Sequence, residues 1–307
     1  MASSKRVGKL VVVGVGLIGG SFALALRAAG AVGEVVGIGR TRSNLDDARQ
    51  RGMVDRACTL DSDWLEELRE ADFVLFATPV AQLPDLFAAC ARCIGPTTVL
   101  SDAGSTKQDV IAAARSRLGS TLPQFVPAHP IAGTEHTGAK AAFATLFRER
   151  NVVLTPTAET DREAVRQVRE LWELTGATVR ELDPAQHDRV FAAVSHLPHV
   201  LAFALVDELA RRPDAQAFFA YAASGFRDFT RIAASSPEMW RDIALANREA
   251  LLAELATFRS ELDAIARLIE AGDGAALHAI FSRGSAARRA WGESRRSDVP
   301  DDGPREP

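Results

Sequence analysis

The chain has 307 residues, 47% of them apolar, enough to bury a large core in two domains, and a net charge of −4 with both signs interspersed. No basic stripe marks it for nucleic acid or an anionic membrane surface, and apolar runs such as Leu10 to Gly16 are strand length, far short of a membrane span. Cys90 and Cys93 form a lone C-x-x-C and Cys58 stands apart, so zinc would lack its other ligands and no disulfide scaffold is expected; with no signal-peptide hydrophobic stretch at the N-terminus, the reading is cytoplasmic.

The first half alternates short β-rich runs with amphipathic stretches. Lys9 to Val15, Glu34 to Ile38, Asp72 to Thr78, Thr98 to Asp102, Gln124 to Ala128, Asn151 to Thr155 and Ala177 to Leu182 read as strands, with helical patterns such as Ser21 to Ala29 and Asp161 to Thr175 between most of them. That order predicts a parallel sheet with helices on both faces. The character changes at Asp183-Pro184, where Asp183 caps a helix whose first turn accepts proline. Beyond it, Ala185 to Arg211, Ala215 to Ala223, Pro237 to Ile269 and Gly274 to Arg289 carry apolar residues at three- and four-residue spacing. The expected fold is α/β: a Rossmann-type dinucleotide-binding domain over residues 1–182, then an all-α domain over 183–292. Residues 293–307 are polar and rich in charge, and are expected to be a disordered tail.

Gly14-Val15-Gly16-Leu17-Ile18-Gly19 follows the first strand and opens a helix, the context a dinucleotide fingerprint needs. Gly14 permits the tight turn, Gly16 lets backbone approach a pyrophosphate, and Gly19 lets helix pack on strand, while the N–H groups of Leu17 and Ile18 lie at the helix N-terminus. An NAD site normally carries an acid at the end of the second strand, but here that strand ends Gly39-Arg40-Thr41-Arg42. Arg40 and Arg42, helped by the hydroxyl of Thr41, fit a 2′-phosphate, so NADP is expected in preference to NAD; the plain alternative is solvated loop arginines. Thr78-Pro79 closes another strand at the edge where loops line a cofactor.

A cofactor that takes hydride needs a base for the matching proton, and His129, in a loop after a strand, is the leading candidate because imidazole titrates near neutral pH. Ser105, in Ser101 to Lys107, either holds that imidazole in one tautomer, bonds a substrate hydroxyl, or simply caps a helix. In Ser195-His196-Leu197-Pro198-His199 a proline interrupts a helical pattern, and without further ligands its histidines are no metal site. Arg227 and Arg231, among Phe226, Phe229 and Ile232, read as a carboxylate clamp or as intramolecular partners of Asp228 or Asp242.

Gly14 to Ser21, Asp102 to Lys107, His129 to Glu135 with Gly138, Ser195 to His199, and Gly225 to Trp240 together resemble the prephenate and arogenate dehydrogenases of tyrosine biosynthesis, over about Lys9 to Arg289. The resemblance implies oxidative decarboxylation of prephenate or arogenate, with His129 and Ser105 catalytic. It implies that Arg231 anchors a substrate carboxylate, and that Ser195, His199, Thr134 and Gly225 lie at the substrate. Glu135 is implied to form an ionic gate with Arg231 or with Asp228 of a partner subunit. It also implies a homodimer through the helical domain, which agrees with the apolar faces of Val190 to Leu209. The departure from NAD-using relatives is Gly39-Arg40. Two alternatives stand beside this reading. A β-hydroxyacid-type dehydrogenase would use a lysine where Ala185 to Arg211 has none, and a non-catalytic NADP-binding redox sensor would not need His129, Ser105 and Arg231 to converge.

Overall fold

The computed structural model describes residues 6–134 and 136–297. Strand β1 (Val7–Val13) is buried over its last four residues and runs into helix α1 (Leu17–Ala28) through the glycine turn. Then follow β2 (Val32–Gly39), α2 (Arg42–Gln50), β3 (Arg56–Thr59), β4 (Phe73–Phe76), α3 (Leu83–Cys90), β5 (Val99–Asp102), α4 (Gln108–Arg117) and β6 (Phe125–Val126). These six strands form one parallel sheet in the order β3-β2-β1-β4-β5-β6. The order reverses between β1 and β4, so a crevice opens beyond their carboxyl ends, where ligands of such sheets bind. Near-continuous Val, Leu, Ile and Phe in β1, β2 and β4 is what burial on both faces demands.

The structure differs from the expected strands in two respects. Arg56–Thr59 pairs with β2 although it is short and carries no alternating apolar pattern. The expected strand Gln124 to Ala128 is split at Pro127, which has no N–H to continue a ladder. Chain beyond Pro127 leaves the main sheet as β7 (Ala128–Pro130) and pairs antiparallel with β8 (Asn151–Leu154), which pairs parallel with β9 (Thr178–Glu181). His129 therefore sits on a strand, not in the loop after one. Helix α5 (Arg162–Leu174) begins where Asp161 accepts from the N–H groups of Glu163 and Ala164.

Asp183 accepts from the N–H groups of Ala185 and Gln186 and starts α6 (Pro184–Phe191), as its cap-and-proline pattern predicts. A single π-helical turn, residues Ala192–His196, joins it to α7 (Leu197–Ala210), so Pro198 falls in the first turn of a new helix rather than inside an old one. Then come α8 (Ala215–Ala220), α9 (Ser224–Thr230), α10 (Pro237–Ala246), α11 (Arg248–Glu270) and α12 (Gly274–Ser297). Asn247 breaks the expected Pro237 to Ile269 helix, and α12 runs into the segment expected to be disordered; residues 298–307 lie outside the described ones.

Contacts divide the chain into Met1–Leu251 and Leu252–Pro307, so α6 to α10 pack with the sheet rather than apart from it, whereas the periodicity change lies at 182/183. In the second unit Leu252, Leu262, Ile269, Phe281 and Trp291 are all at least half exposed. The stretch Pro184–Ala210 is long and apolar enough to cross a membrane by length and composition, with mean hydropathy 1.6, a length the strand-sized runs of the N-terminal half did not foreshadow. It carries the buried His187, Asp188 and His196 on its packed side and exposes Val190 and Val194 on the other.

Candidate active site

At the glycine turn each residue has a distinct steric reason. Gly14 holds a φ of 100°, and a Cβ there would stand 2.5 Å from the Ala77 carbonyl oxygen; a Cβ at Gly19 would stand 2.3 Å from the oxygen of Gly14. A Cβ at Gly16 meets nothing within 4 Å, so the turn is open where a phosphate would approach. No side chain caps α1, which leaves the N–H groups of Leu17 and Ile18 facing outward from the helix start. Close by, the buried hydroxyl of Thr78, next to Pro79, has no hydrogen-bond partner. An open backbone cradle and an orphaned buried hydroxyl together fit a bound dinucleotide. Asn44 steadies this edge: its side-chain amide donates to Val15 O at 2.7 Å and its oxygen accepts from Ala139 N at 2.8 Å, next to Gly138 with φ 82°.

Gly39 sits at the acid position because Leu45 packs there, 3.1 Å from where a Cβ would be. Arg40 is exposed and 3.7 Å from Glu238 of α10; Arg42 is exposed and 3.8 Å from Asp46. Thr41 precedes α2 without capping it through its side chain.

The surroundings of His129, the candidate base, come from three elements. Asp102 ends β5 and forms a fully buried ion pair with Lys107, and both fasten onto Ala128: Asp102 accepts its N–H at 3.0 Å and Lys107 donates to its carbonyl at 2.9 Å. His129 follows immediately. Its Nδ1 lies 2.8 Å from Nε2 of His187, whose Nδ1 lies 2.8 Å from the Asp188 carboxylate on α6. Burial pushes the Asp188 carboxyl up, but hydrogen bonds from His187 and from the N–H groups of Gln108 and Lys107, at 2.9 and 2.8 Å, outweigh it and hold it below the usual range. An ionised Asp188 requires the proton on Nδ1 of His187. Nε2 of His187 is then an acceptor, so His129 carries its own proton on Nδ1 and keeps its Nε2 lone pair. Phe191 packs on both rings, 4.7 and 4.5 Å between centroids.

Burial foremost, then His187, Lys107 and His196, push the His129 pKa well below 6.5. The sequence suggested a group titrating near neutrality; burial in the structure instead favours the neutral imidazole. Ser105 is not what orients it. No side-chain bond joins Ser105 to His129, and Ser105 caps no helix, because the Asp188 carboxylate takes the first N–H groups of α4 instead. Ser105 is half buried beside this network, and its backbone bonds His196.

His196 is a core histidine: its Nδ1 is 3.1 Å from the Asn247 side-chain nitrogen, which also donates to Asp188 O at 2.8 Å. His199 is half buried, bonds Ser195 O through Nδ1 at 2.8 Å, and stacks on Trp240 with centroids 3.6 Å apart. Burial above all, with help from Arg231, depresses its pKa. Arg231 is exposed rather than wrapped by apolar neighbours, and with Thr134 it lines an open cavity of about 380 Å³. Arg227 pairs with Asp228 at 3.5 Å on the surface, and Arg241 with Asp242 at 2.6 Å. Gly225 is exposed with nothing within 4 Å of a Cβ position. Glu135, the expected gate, lies outside the described residues.

A family model described as the prephenate dehydrogenase nucleotide-binding domain matches residues 22–181, and one described as the prephenate dehydrogenase dimerization domain matches residues 183–283. The chain belongs to the prephenate dehydrogenase family. The cyclohexadienyl dehydrogenase of Zymomonas mobilis is 35% identical over 92% of this chain and 95% of its own length. The prephenate dehydrogenase of Bacillus subtilis is 36% identical over 89% and 73%. Among solved structures, the prephenate dehydrogenase from A. aeolicus in complex with hydroxyphenyl propionate and NAD+ is 34% identical, with a TM-score of 0.87 over 94% of this chain and 99% of that one. As a member of the prephenate dehydrogenase family the chain is an oxidoreductase using a nicotinamide dinucleotide.

The buried imidazoles of this family member also set its acid stability. His196 is pushed down to about 4, by burial first and then by His187 and His199, against the opposing pull of Asp188, whereas an unfolded imidazole titrates near 6.5. Below about pH 6.5 the unfolded chain gains a proton that the folded chain refuses, so stability falls towards pH 4, by about 3 kcal/mol for this residue alone. His129 and His187 are shifted in the same direction. Urea unfolding midpoints should drop steeply from pH 7.5 to pH 5; equal midpoints would contradict the buried neutral histidines.

Proposed function

We propose that the chain oxidatively decarboxylates prephenate or arogenate to the aromatic product, with His129 as the base. The observation that carries this is the relay from Asp188 through His187, which leaves a lone pair on Nε2 of His129 beside the carboxyl edge of a dinucleotide-binding sheet. The substrate ring carries a hydroxyl at one end and a carboxylate-bearing quaternary carbon at the other. His129 accepts the hydroxyl proton as the hydroxyl-bearing carbon gives up its hydride; the nicotinamide, when bound, would supply the hydride acceptor. The new carbonyl is conjugated through the ring and draws the electron pair released as carbon dioxide leaves, and aromatisation makes the step irreversible. Ser105 orients the substrate hydroxyl. Arg231 holds a carboxylate, and Ser195, His199, Thr134 and Gly225 complete the substrate's surroundings, with Glu135 and Asp228 as its ionic gate. Incubation of the purified chain with prephenate and cofactor should give reduced-cofactor absorbance together with carbon dioxide; absorbance change with neither prephenate nor arogenate would reject the reading.

The dinucleotide seats on Gly14, Gly16, Leu17, Ile18 and Gly19, with Thr78 and Pro79 alongside. NADP is preferred over NAD because Gly39 leaves no acid to repel a 2′-phosphate and Arg40, Thr41 and Arg42 stand beside it. Glu238 is the present counter-charge of Arg40, so a 2′-phosphate has to compete with it. Arg40→Ala is expected to weaken NADP about tenfold and leave NAD nearly unchanged, and Glu238→Gln to tighten NADP. A wild type with higher kcat/KM for NAD would sink the assignment.

The chain works as a homodimer through its helical segment. Val190 and Val194 in the first unit, and Leu252, Leu262 and Ile269 in the second, are exposed apolar side chains on helical segments, of the kind a partner subunit covers. Light scattering at micromolar concentration should give twice the chain mass; a monomer would overturn this. The free Cys58, Cys90 and Cys93 suit the reducing cytoplasm in which we place it.

A further inference from the structure

Two arginines outside the catalytic relay flank an unusual backbone. Among the described residues Glu149 is the sole non-glycine with positive φ, at 58°. The turn is pinned from both sides: Glu149 N bonds Gly176 O at 3.0 Å, Arg150 N bonds Phe147 O at 3.0 Å, and Thr178 N bonds Arg150 O at 2.8 Å. Its result is that Arg148 and Arg150 line one cavity, of about 380 Å³, together with Arg231, Thr134, Thr145 and Phe143. Gly176, with φ 86°, makes room for the stem of Arg148, whose Cγ would lie 3.0 Å from a Cβ there. Neither Arg148 nor Arg150 has an ion pair or a side-chain hydrogen bond among the described residues, and no carboxylate is among the described lining residues. Other arginines near the sheet are matched to acids, as Arg56 is to Glu34 and Glu67.

We propose that this cavity is a second anion site built on Arg148 and Arg150, bordering the substrate site through Arg231 and Thr134, which takes a small doubly charged oxyanion, a dicarboxylate or a phosphate. Guanidinium groups bind such ligands through paired N–H···O bonds, and a cavity of this size holds one small molecule. The strained turn is the device that aims two neighbouring arginines at one ligand. Because Arg231 borders the cavity, an anion bound there draws its guanidinium from a substrate carboxylate and inhibits by raising KM. That kinetic consequence rests on the substrate role given to Arg231 above; binding itself does not.

The test is titration of the full-length chain with sodium malonate and, separately, inorganic phosphate, at ionic strength held constant with sodium chloride, read by calorimetry and by thermal shift. Wild type should bind at least one of the two, with malonate the tighter if the ligand is a dicarboxylate and phosphate if it is a phosphate ester. Arg148→Gln/Arg150→Gln should weaken that binding tenfold or more with an unchanged melting temperature in the absence of the anion, Arg148→Lys/Arg150→Lys should restore part of it, and His129→Asn should keep it whole. No binding to wild type, equal binding by the double glutamine variant, or loss in His129→Asn would overturn the site. Binding without a rise in KM would instead remove the substrate role of Arg231 and leave the anion site standing.

Discussion

His129→Asn is expected to lower kcat by about 10²–10⁴-fold, the usual contribution of positioned proton transfer. Asparagine removes the Nε2 lone pair but retains a side-chain donor towards Nε2 of His187, so the fold should survive. The pH profile adds a sharper readout. Since burial, His187, Lys107 and His196 all hold the ring neutral, the acid limb of kcat/KM should lie well below 6.5 in the wild type. Near-normal turnover of the variant across pH would remove His129 from the chemistry. An acid limb at or above 6.5 would remove the proposed tuning while leaving the base.

Lys107→Met should cost about 3–5 kcal/mol of stability, the penalty for stranding one partner of a buried pair. Both side chains are wholly buried, and the lysine is also what satisfies the carbonyl of Ala128, one residue before the base. Asp102 would keep two backbone donors, from Gly104 at 2.8 Å and Ala128 at 3.0 Å, but no charge partner. Adding Asp102→Asn should recover most of the loss, because it removes the uncompensated charge. Chemical denaturation checks both variants, and a loss below about 1 kcal/mol for Lys107→Met would mean that water reaches Asp102.

Local signals made the glycine turn, the Asp183 cap and most strands legible, since each rests on a few adjacent residues with one steric or hydrogen-bonding reason. His129 drew attention as a candidate base because it is a titratable imidazole directly after an expected strand. Its support was not legible. His187 and Asp188 lie 58 and 59 positions further on, in a helix whose cap and periodicity say nothing of what it packs against, and the role of Asp188 comes from reaching the N–H groups of Lys107 and Gln108 across the fold. Ser105 was a candidate for orienting His129 because its segment follows a strand and opens a helix at the cofactor edge. Pro127 misled in the opposite way: a run read as one strand serves two sheets, because a residue without an N–H ends one ladder and starts another. Arg231 looked enclosed because its sequence neighbours are apolar, yet a short turn presents it to solvent.

Asp188 lies past the point where the chain changes from strands to helices, yet it caps α4 and holds the tautomer of His129. The dinucleotide cradle and the means to do chemistry on it are therefore not separable parts. A nascent chain that has emerged only as far as β9 can complete its sheet, but its base has no second imidazole to fix the proton on Nδ1 and no aromatic cover from Phe191. The relay to His129 is complete only once α6 is in place. Exchanging either half for that of a distant relative therefore has to keep His129, His187 and Asp188 together, with the N–H groups of residues 107 and 108 left free to meet the carboxylate.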